Sequence, residues 1–185
     1  PKDTSVTLNV ITTADQYAFV EYGTSPGNYT SATTPALFSI DTAHPEFYNP
    51  IEITLTGLQP DTEYYYRLRH RGTSATNYNA RGERSFHTAR PRGKPFVFTI
   101  SADPHLDVNT DQSLLDRAMT NIASDNPDFH IDLGDIFMTD KMEQPLANGI
   151  PSAWGGELST GQLNQTLLNN RAILLRNQFE LACHS

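Results

Sequence analysis

Up to about residue 90 the chain alternates apolar and polar positions with a period of two. Val6-Thr-Leu-Asn-Val-Ile11, Tyr17-Ala-Phe-Val-Glu-Tyr22, Ile51-Glu-Ile-Thr-Leu55 and Glu63-Tyr-Tyr-Tyr-Arg-Leu68 are short runs that mix apolar and polar residues in this way. That is the pattern of a half-buried strand. Thr24-Ser-Pro-Gly-Asn28, Gly57, Pro60-Asp61 and Gly72 separate the runs, and turn formers at this spacing favour an antiparallel β-sandwich.

The pattern changes after Arg90-Pro-Arg-Gly-Lys-Pro95, where prolines and a glycine flanked by charges suit an exposed linker. The expected domains are therefore 1–90, all-β, and 91–185, mixed. Phe96 to Ile100 is nearly continuously apolar, as in a strand covered on both faces. Leu114, Leu115, Ala118, Met119 and Ile122 follow at helical spacing, with Thr110 available as an N-cap and Pro127 closing the segment beyond Asn126. Phe129, Ile131 and Leu133 predict a second strand, with His130 and Asp132 on its opposite face as hydrogen-bonded neighbours. Leu163 to Cys183 reads as a further helix, with Leu168, Ala172, Leu175, Phe179 and Ala182 on one side.

Two acidic motifs stand at the ends of the predicted strands of this second part, Asp103-Pro104-His105 and Gly134-Asp135. About thirty residues from one to the next is the length of a parallel crossover unit, which brings both motifs to one sheet edge. Ligands bind at the carboxyl ends of strands in open α/β sheets. A bend at Pro104 lets Asp103 and His105 turn toward one point, and Gly134 allows close approach of Asp135. Two carboxylates held together repel, and a cation removes that cost. Asp and His suit zinc, manganese and iron, and a carboxylate can bridge two ions. Asp103, His105 and Asp135 are thus the candidate metal ligands, half of a two-metal site.

Composition narrows the alternatives. A formal charge of −8 over 185 residues, with a pI near 5.1, argues against a nucleic-acid backbone as the main partner. No apolar run is long enough to span a bilayer. Cys183 is the only cysteine, which excludes a disulfide framework and a thiolate zinc cluster. The chain opens at Pro1 without a leader-like segment, so a processed or excised fragment is expected.

Leu55-Thr-Gly-Leu-Gln-Pro-Asp-Thr-Glu-Tyr-Tyr-Tyr66 resembles a tyrosine corner built on Leu58, Pro60, Thr62 and Tyr64, and so resembles a fibronectin type III domain. Val20-Glu-Tyr-Gly-Thr-Ser-Pro-Gly27 looks like the third strand and turn of the small β domain that precedes the catalytic domain in purple acid phosphatases and their relatives. On that resemblance the first strand is missing or very short. The paired motifs resemble the first two of the calcineurin-like metallophosphoesterase superfamily. This implies a fibronectin type III-like β-sandwich followed by the first part of an α/β metallophosphoesterase domain, with a β-sandwich core flanked by helices, incomplete at the C-terminus.

The same resemblance implies function. Asp103 and His105 would hold the first ion and Asp135 would bridge both, in a phosphatase that hydrolyses phosphate esters with a hydroxide activated by two divalent or mixed-valence ions of Fe, Zn or Mn. The partner implied is a phosphorylated small molecule or another phosphoester, and the location implied is extracellular or periplasmic. Met138 stands where purple acid phosphatases have a tyrosine, and His105 is a residue they lack, so a purple Fe(III)-tyrosinate complex is not expected. The superfamily's third motif, Gly-Asn-His-Glu or Gly-Asn-His-Asp, and its later His motifs do not occur in this sequence. No catalytic acid or substrate-binding residue is identified, the chain alone is expected to be inactive, and a complementing C-terminal chain or segment is implied. The alternative is a noncatalytic extracellular binding or adhesion module that retains a phosphoesterase scaffold.

Further candidates carry less. Asp107 and Asp140 could orient the ligands from a second layer or be solvated loop carboxylates. The loop from Thr139 to Gly156, with Trp154, could form a substrate lid or a packing anchor. Tyr17, Tyr22, Tyr64, Tyr65 and Tyr66 could build a carbohydrate or partner-binding face, unless strand alternation buries half of them. His184 is read as a core or surface residue. Asn28-Tyr-Thr30 and Asn164-Gln-Thr166 fit the glycosylation sequon.

Overall fold

The computed structural model describes residues 2–43, 50–105, 111–136, and 169, 172, 173 and 176. The chain forms two compact units, Pro1–Pro95 and Phe96–His184.

The first unit contains β1 (Ser5–Ile11), β2 (Gln16–Gly23), β3 (Ser31–Ala32), β4 (Ala36–Phe38), β5 (Pro50–Thr56), β6 (Glu63–Gly72), β7 (Asn79–Ala80) and β8 (Arg84–His87). β1 pairs antiparallel with β5, Val6 opposite Leu55. Among the described residues the remaining strands form a second sheet around the long β2–β6 pair, in which Ala18 faces His70. Alternation is clearest in β5, where Ile51, Ile53 and Leu55 are buried and Glu52 and Thr54 exposed. These residues and Val6 pack against Val20, Leu58, Tyr64 and Phe86. The two sheets thus bury one face each, which is a β-sandwich. Leu55 and Val20 are almost wholly removed from water, worth about 1.5–3 kcal/mol each.

The tyrosine corner is present. Tyr64 stacks on Phe86 at 5.5 Å, and its hydroxyl accepts the Gln59 backbone N–H at 2.9 Å. Thr88, fully buried, ties the same turn down: its hydroxyl donates to the Gln59 carbonyl at 2.6 Å and accepts the Thr62 N–H at 2.9 Å. A buried hydroxyl with both partners carries no desolvation debt.

Alternation also corrects the proposed tyrosine face. Tyr64 belongs to the core and Tyr22 and Tyr66 pack against it, whereas Tyr17 lies under the Arg71 guanidinium at 4.2 Å and Tyr65 bonds to Glu63. The outer surface of β2 and β6 is an arginine ladder instead. Arg67 reaches Glu21 at 2.6 Å and sits over Tyr29, and Arg69 reaches Glu21 at 3.3 Å. Burial works against the Glu21 charge, but the two guanidiniums outweigh it and hold the carboxyl below its usual range.

The second unit contains β9 (Phe98–Ser101), α1 (Gln112–Ser124) and β10 (Phe129–Asp132). β9 and β10 run parallel, Phe98 opposite Phe129 and Ser101 opposite Asp132. At the entry end Asp128 fixes the register, its N–H donating to the Val97 carbonyl and its carboxylate accepting the Val97 N–H, both at 2.8 Å. Helix α1 buries Met119 and Ala123. Its cap is Asp111 rather than Thr110: the Asp111 carboxylate accepts the Ser113 and Leu114 N–H groups. Ser113, whose hydroxyl also donates, and these amides hold the Asp111 carboxyl below its ordinary range, against a smaller desolvation effect. Asn169, Ala172, Ile173 and Arg176 are helical, and Ala172 is exposed. Leu168, Leu175, Phe179 and Ala182 lie outside the described residues.

Candidate metal centre

The ladder between β9 and β10 does not stop where the strands end. Leu133 N–H donates to the Ser101 carbonyl at 2.9 Å, Asp103 N–H to Gly134 at 3.0 Å, and His105 N–H to Asp135 at 3.0 Å. The Asp-Pro-His and Gly-Asp loops are therefore held side by side by their own backbones, the last two steps carrying the candidate ligands.

Backbone conformation does the aiming. Asp103, His105 and Asp135 have φ of 57°, 54° and 49°, and Gly134 between the strand and Asp135 has 106°. Left-handed φ is uncommon outside glycine, and Asp and His are among the side chains that tolerate it. Backbone of this kind clusters at functional sites. Asp103 Oδ1 lies 3.4 Å from His105 Nε2, which lies 3.9 Å from Asp135 Oδ2. One donor atom from each residue falls within 4.8 Å of the other two. With bonds of about 2.0–2.2 Å, donors around one ion stand about 3–4.3 Å apart, and both distances from His105 Nε2 fall in that range. His105 is 36% exposed, Asp103 63% and Asp135 71%, which leaves the group open to solvent and to ligands from it.

On the face of the strand pair opposite Phe129 and Ile131 lies a second polar group. Ser101 donates to Asp132 at 2.7 Å and lies 2.9 Å from His130 Nε2, while Thr99 meets His130 Nδ1 at 2.9 Å. His130 and Asp132 alternate with Phe129 and Ile131 as the sequence indicates, but Ser101 and Thr99 were not foreseen as their partners. The signal was available, since Thr99 and Ser101 share the same parity on β9. Asp107, Met138, Asp140, Trp154, Asn164, Cys183 and His184 lie outside the described residues, as does the loop from Thr139 to Gly156. Among the described residues no helix is long and apolar enough to cross a membrane, which does not bear on β-barrels.

Comparison with known proteins places this geometry in context. The family described as the purple acid phosphatase N-terminal domain matches residues 1–100. A structure titled "Structure of PhoD" is similar with a TM-score of 0.56 and 12% identity, covering 100% of this chain and 35% of that one. The purple acid phosphatase PPD1 from yellow lupin (Lupinus luteus) seeds is similar with a TM-score of 0.63 and 17% identity, covering 100% of this chain and 32% of that one. At these identities the likeness is one of fold, and the chain spans about a third of either protein. No curated protein sequence matches. By the match over residues 1–100, the chain belongs to the purple acid phosphatase N-terminal domain family.

Proposed function

We propose that the chain carries one half of the metal centre of a phosphoesterase, with Asp103, His105 and Asp135 as ligands. The observation that carries the reading is the convergence of these donors on two loops whose backbones are paired. Asp103 and His105 share one loop and bind one ion together. Asp135 enters from the other strand, and its second carboxylate oxygen is available to a neighbouring ion. Two divalent or mixed-valence ions of Fe, Zn or Mn suit this carboxylate and imidazole set. When bound, they supply Lewis acidity toward phosphoryl oxygens and lower the pKa of a coordinated water. The chain's residues contribute binding and orientation; among the described residues these three are the only group of His and carboxylate donors that converges in this way. The substrate class is a phosphate ester, and the fold shared with phosphatases supports that choice. Export from the cell follows the same family reading.

Metal content and p-nitrophenyl phosphate hydrolysis test it, on this chain and on a version extended by a further hundred or more residues, each with and without Asp135→Ala. Two ions and turnover in the extended protein, both lost in the variant, are expected. An extended protein with neither overturns the reading in favour of a noncatalytic binding module.

A further inference from the structure

We propose that Asp132 is a positioning residue for the metal centre, and that its carboxylate sets the spacing of the two ligand-bearing loops; the inference rests on the metal reading above. Asp132 is the last residue of β10, and its two oxygens point to different chain segments. Oδ1 accepts the Gly134 N–H at 2.9 Å, one residue before Asp135. Oδ2 accepts the Ser101 hydroxyl at 2.7 Å, two residues before Asp103. Gly134 in turn accepts the Asp103 N–H through its carbonyl at 3.0 Å. One carboxylate therefore braces the start of both motifs, and the residue whose N–H it holds on one side accepts, through its carbonyl, the N–H of the ligand residue on the other.

The proton inventory gives this group a direction. A carboxylate only accepts, so the single Ser101 hydroxyl proton goes to Asp132. His130 Nε2, 2.9 Å from Ser101 Oγ, must then be the protonated ring nitrogen. Nδ1 is left to accept from the Thr99 hydroxyl at 2.9 Å. Every donor in the row from Thr99 through His130 and Ser101 thus points toward Asp132. The Gly134 φ of 106° is a conformation that needs holding, and the Asp132 bond to its N–H holds it. Groups that orient ligands in this way typically change metal affinity by about 10–100-fold when removed.

An Asn at 132 keeps the acceptor for Gly134 but presents an N–H to Ser101. The row must then reverse, with Ser101 donating to His130 Nε2 and the ring proton moving to Nδ1. This separates bracing from simple satisfaction of a strand face.

The test uses the full 185-residue chain, unsubstituted and as Asp132→Ala, Asp132→Asn and Ser101→Ala. Co2+ binding is measured by calorimetry, donor geometry by the visible absorption of bound Co2+, and the His130 tautomer by imidazole 15N shifts without metal. Expected are a 10–100-fold loss of Co2+ affinity with an altered spectrum in Asp132→Ala, a smaller loss in Ser101→Ala, and near-parental affinity in Asp132→Asn with the tautomer changed from Nε2–H to Nδ1–H. Parental affinity and spectrum in Asp132→Ala overturn the positioning role alone. If Asp132→Ala does not fold, parental affinity and spectrum in Ser101→Ala together with an unchanged tautomer in Asp132→Asn overturn it. If the unsubstituted chain binds no Co2+, the same four proteins are compared in the extended form, and absence of Co2+ binding there overturns the metal reading and the positioning role with it.

Discussion

The hydroxyl of Tyr64 accepts the backbone N–H of Gln59 at 2.9 Å, tying the start of β6 to the turn five residues earlier. Tyr64→Phe keeps the ring in its place on Phe86 and removes only the acceptor. The expected loss is about 1–2 kcal/mol, read from denaturant unfolding of the β-sandwich. Tyr64→Ala also opens a cavity in the core and is expected to cost about 3–5 kcal/mol. Equal losses in the two variants would show that the hydroxyl, not the ring, dominates.

Gly23 ends β2 against the backbone of the following turn. A Cβ there overlaps the Asn28 carbonyl oxygen and lies 3.2 Å from its carbon, with no flexible side chain to yield. Gly23→Ala is expected to destabilise the first unit by about 3 kcal/mol, at the upper end of ordinary overpacking. Thermal unfolding measures it, and a midpoint unchanged from the parent contradicts the close approach.

His70 is held below its usual pKa of 6.5, first by burial and then by the Arg81 charge. The unfolded chain therefore takes up this proton more readily than the folded one. Stability from this residue is complete above about pH 6.5 and is lost as the pH falls through the folded value. The slope from one proton cannot exceed about 1.4 kcal/mol per pH unit. Neutral His70 donates through Nδ1 to Gln16 Oε1 at 2.8 Å or accepts from a flipped amide, and a neutral glutamine at 70 has no proton to gain. Unfolding free energies at pH 7.5 and below 6 are expected to diverge less in His70→Gln than in the parent.

Ligands that bind only the folded state raise its stability by mass action, by about 2.7 kcal/mol at 100 times the dissociation constant. Mn2+ or Zn2+ is expected to raise the unfolding midpoint of the second unit, and EDTA to reverse the rise. His105→Asn should abolish most of the effect without lowering the metal-free midpoint. A metal-dependent rise of the same size in that variant removes His105 from the ligand set.

The parts of this molecule legible from the sequence are those written in periodic or clustered form. β1, β2, β5 and β6 span seven to ten residues, enough for a period of two to declare itself. β3 and β7, at two residues each, are defined by their neighbours and leave no pattern. The helix is visible from its apolar spacing, but Thr110 and Asp111 are both good caps and only geometry chooses Asp111. The tyrosine run shows the same period at work: adjacent rings look like a patch in sequence, but alternation sends Tyr64 and Tyr66 toward the core and leaves Tyr65 bonded to Glu63. At the candidate metal centre, residue type and strand-end position single out Asp103, His105 and Asp135, whose donor atoms the structure brings within 4.8 Å of one another. The Ser101–Asp132 bond could not be read that way, since it depends on which residues stand opposite across a parallel pair.

The left-handed backbone at Asp103, His105 and Asp135 limits what can ever occupy those positions. An exchange must satisfy the loop before it satisfies an ion. Asparagine passes the first test and weakens the second, which makes it the clean probe of ligation. A longer glutamate, or a cysteine introduced to favour a softer ion, must also pay for a conformation it adopts reluctantly, at a cost of order 1–3 kcal/mol. If the three residues hold metal as proposed, retuning the site toward another ion is a problem of redesigning two loops, because the main chain restricts which side chains can stand there.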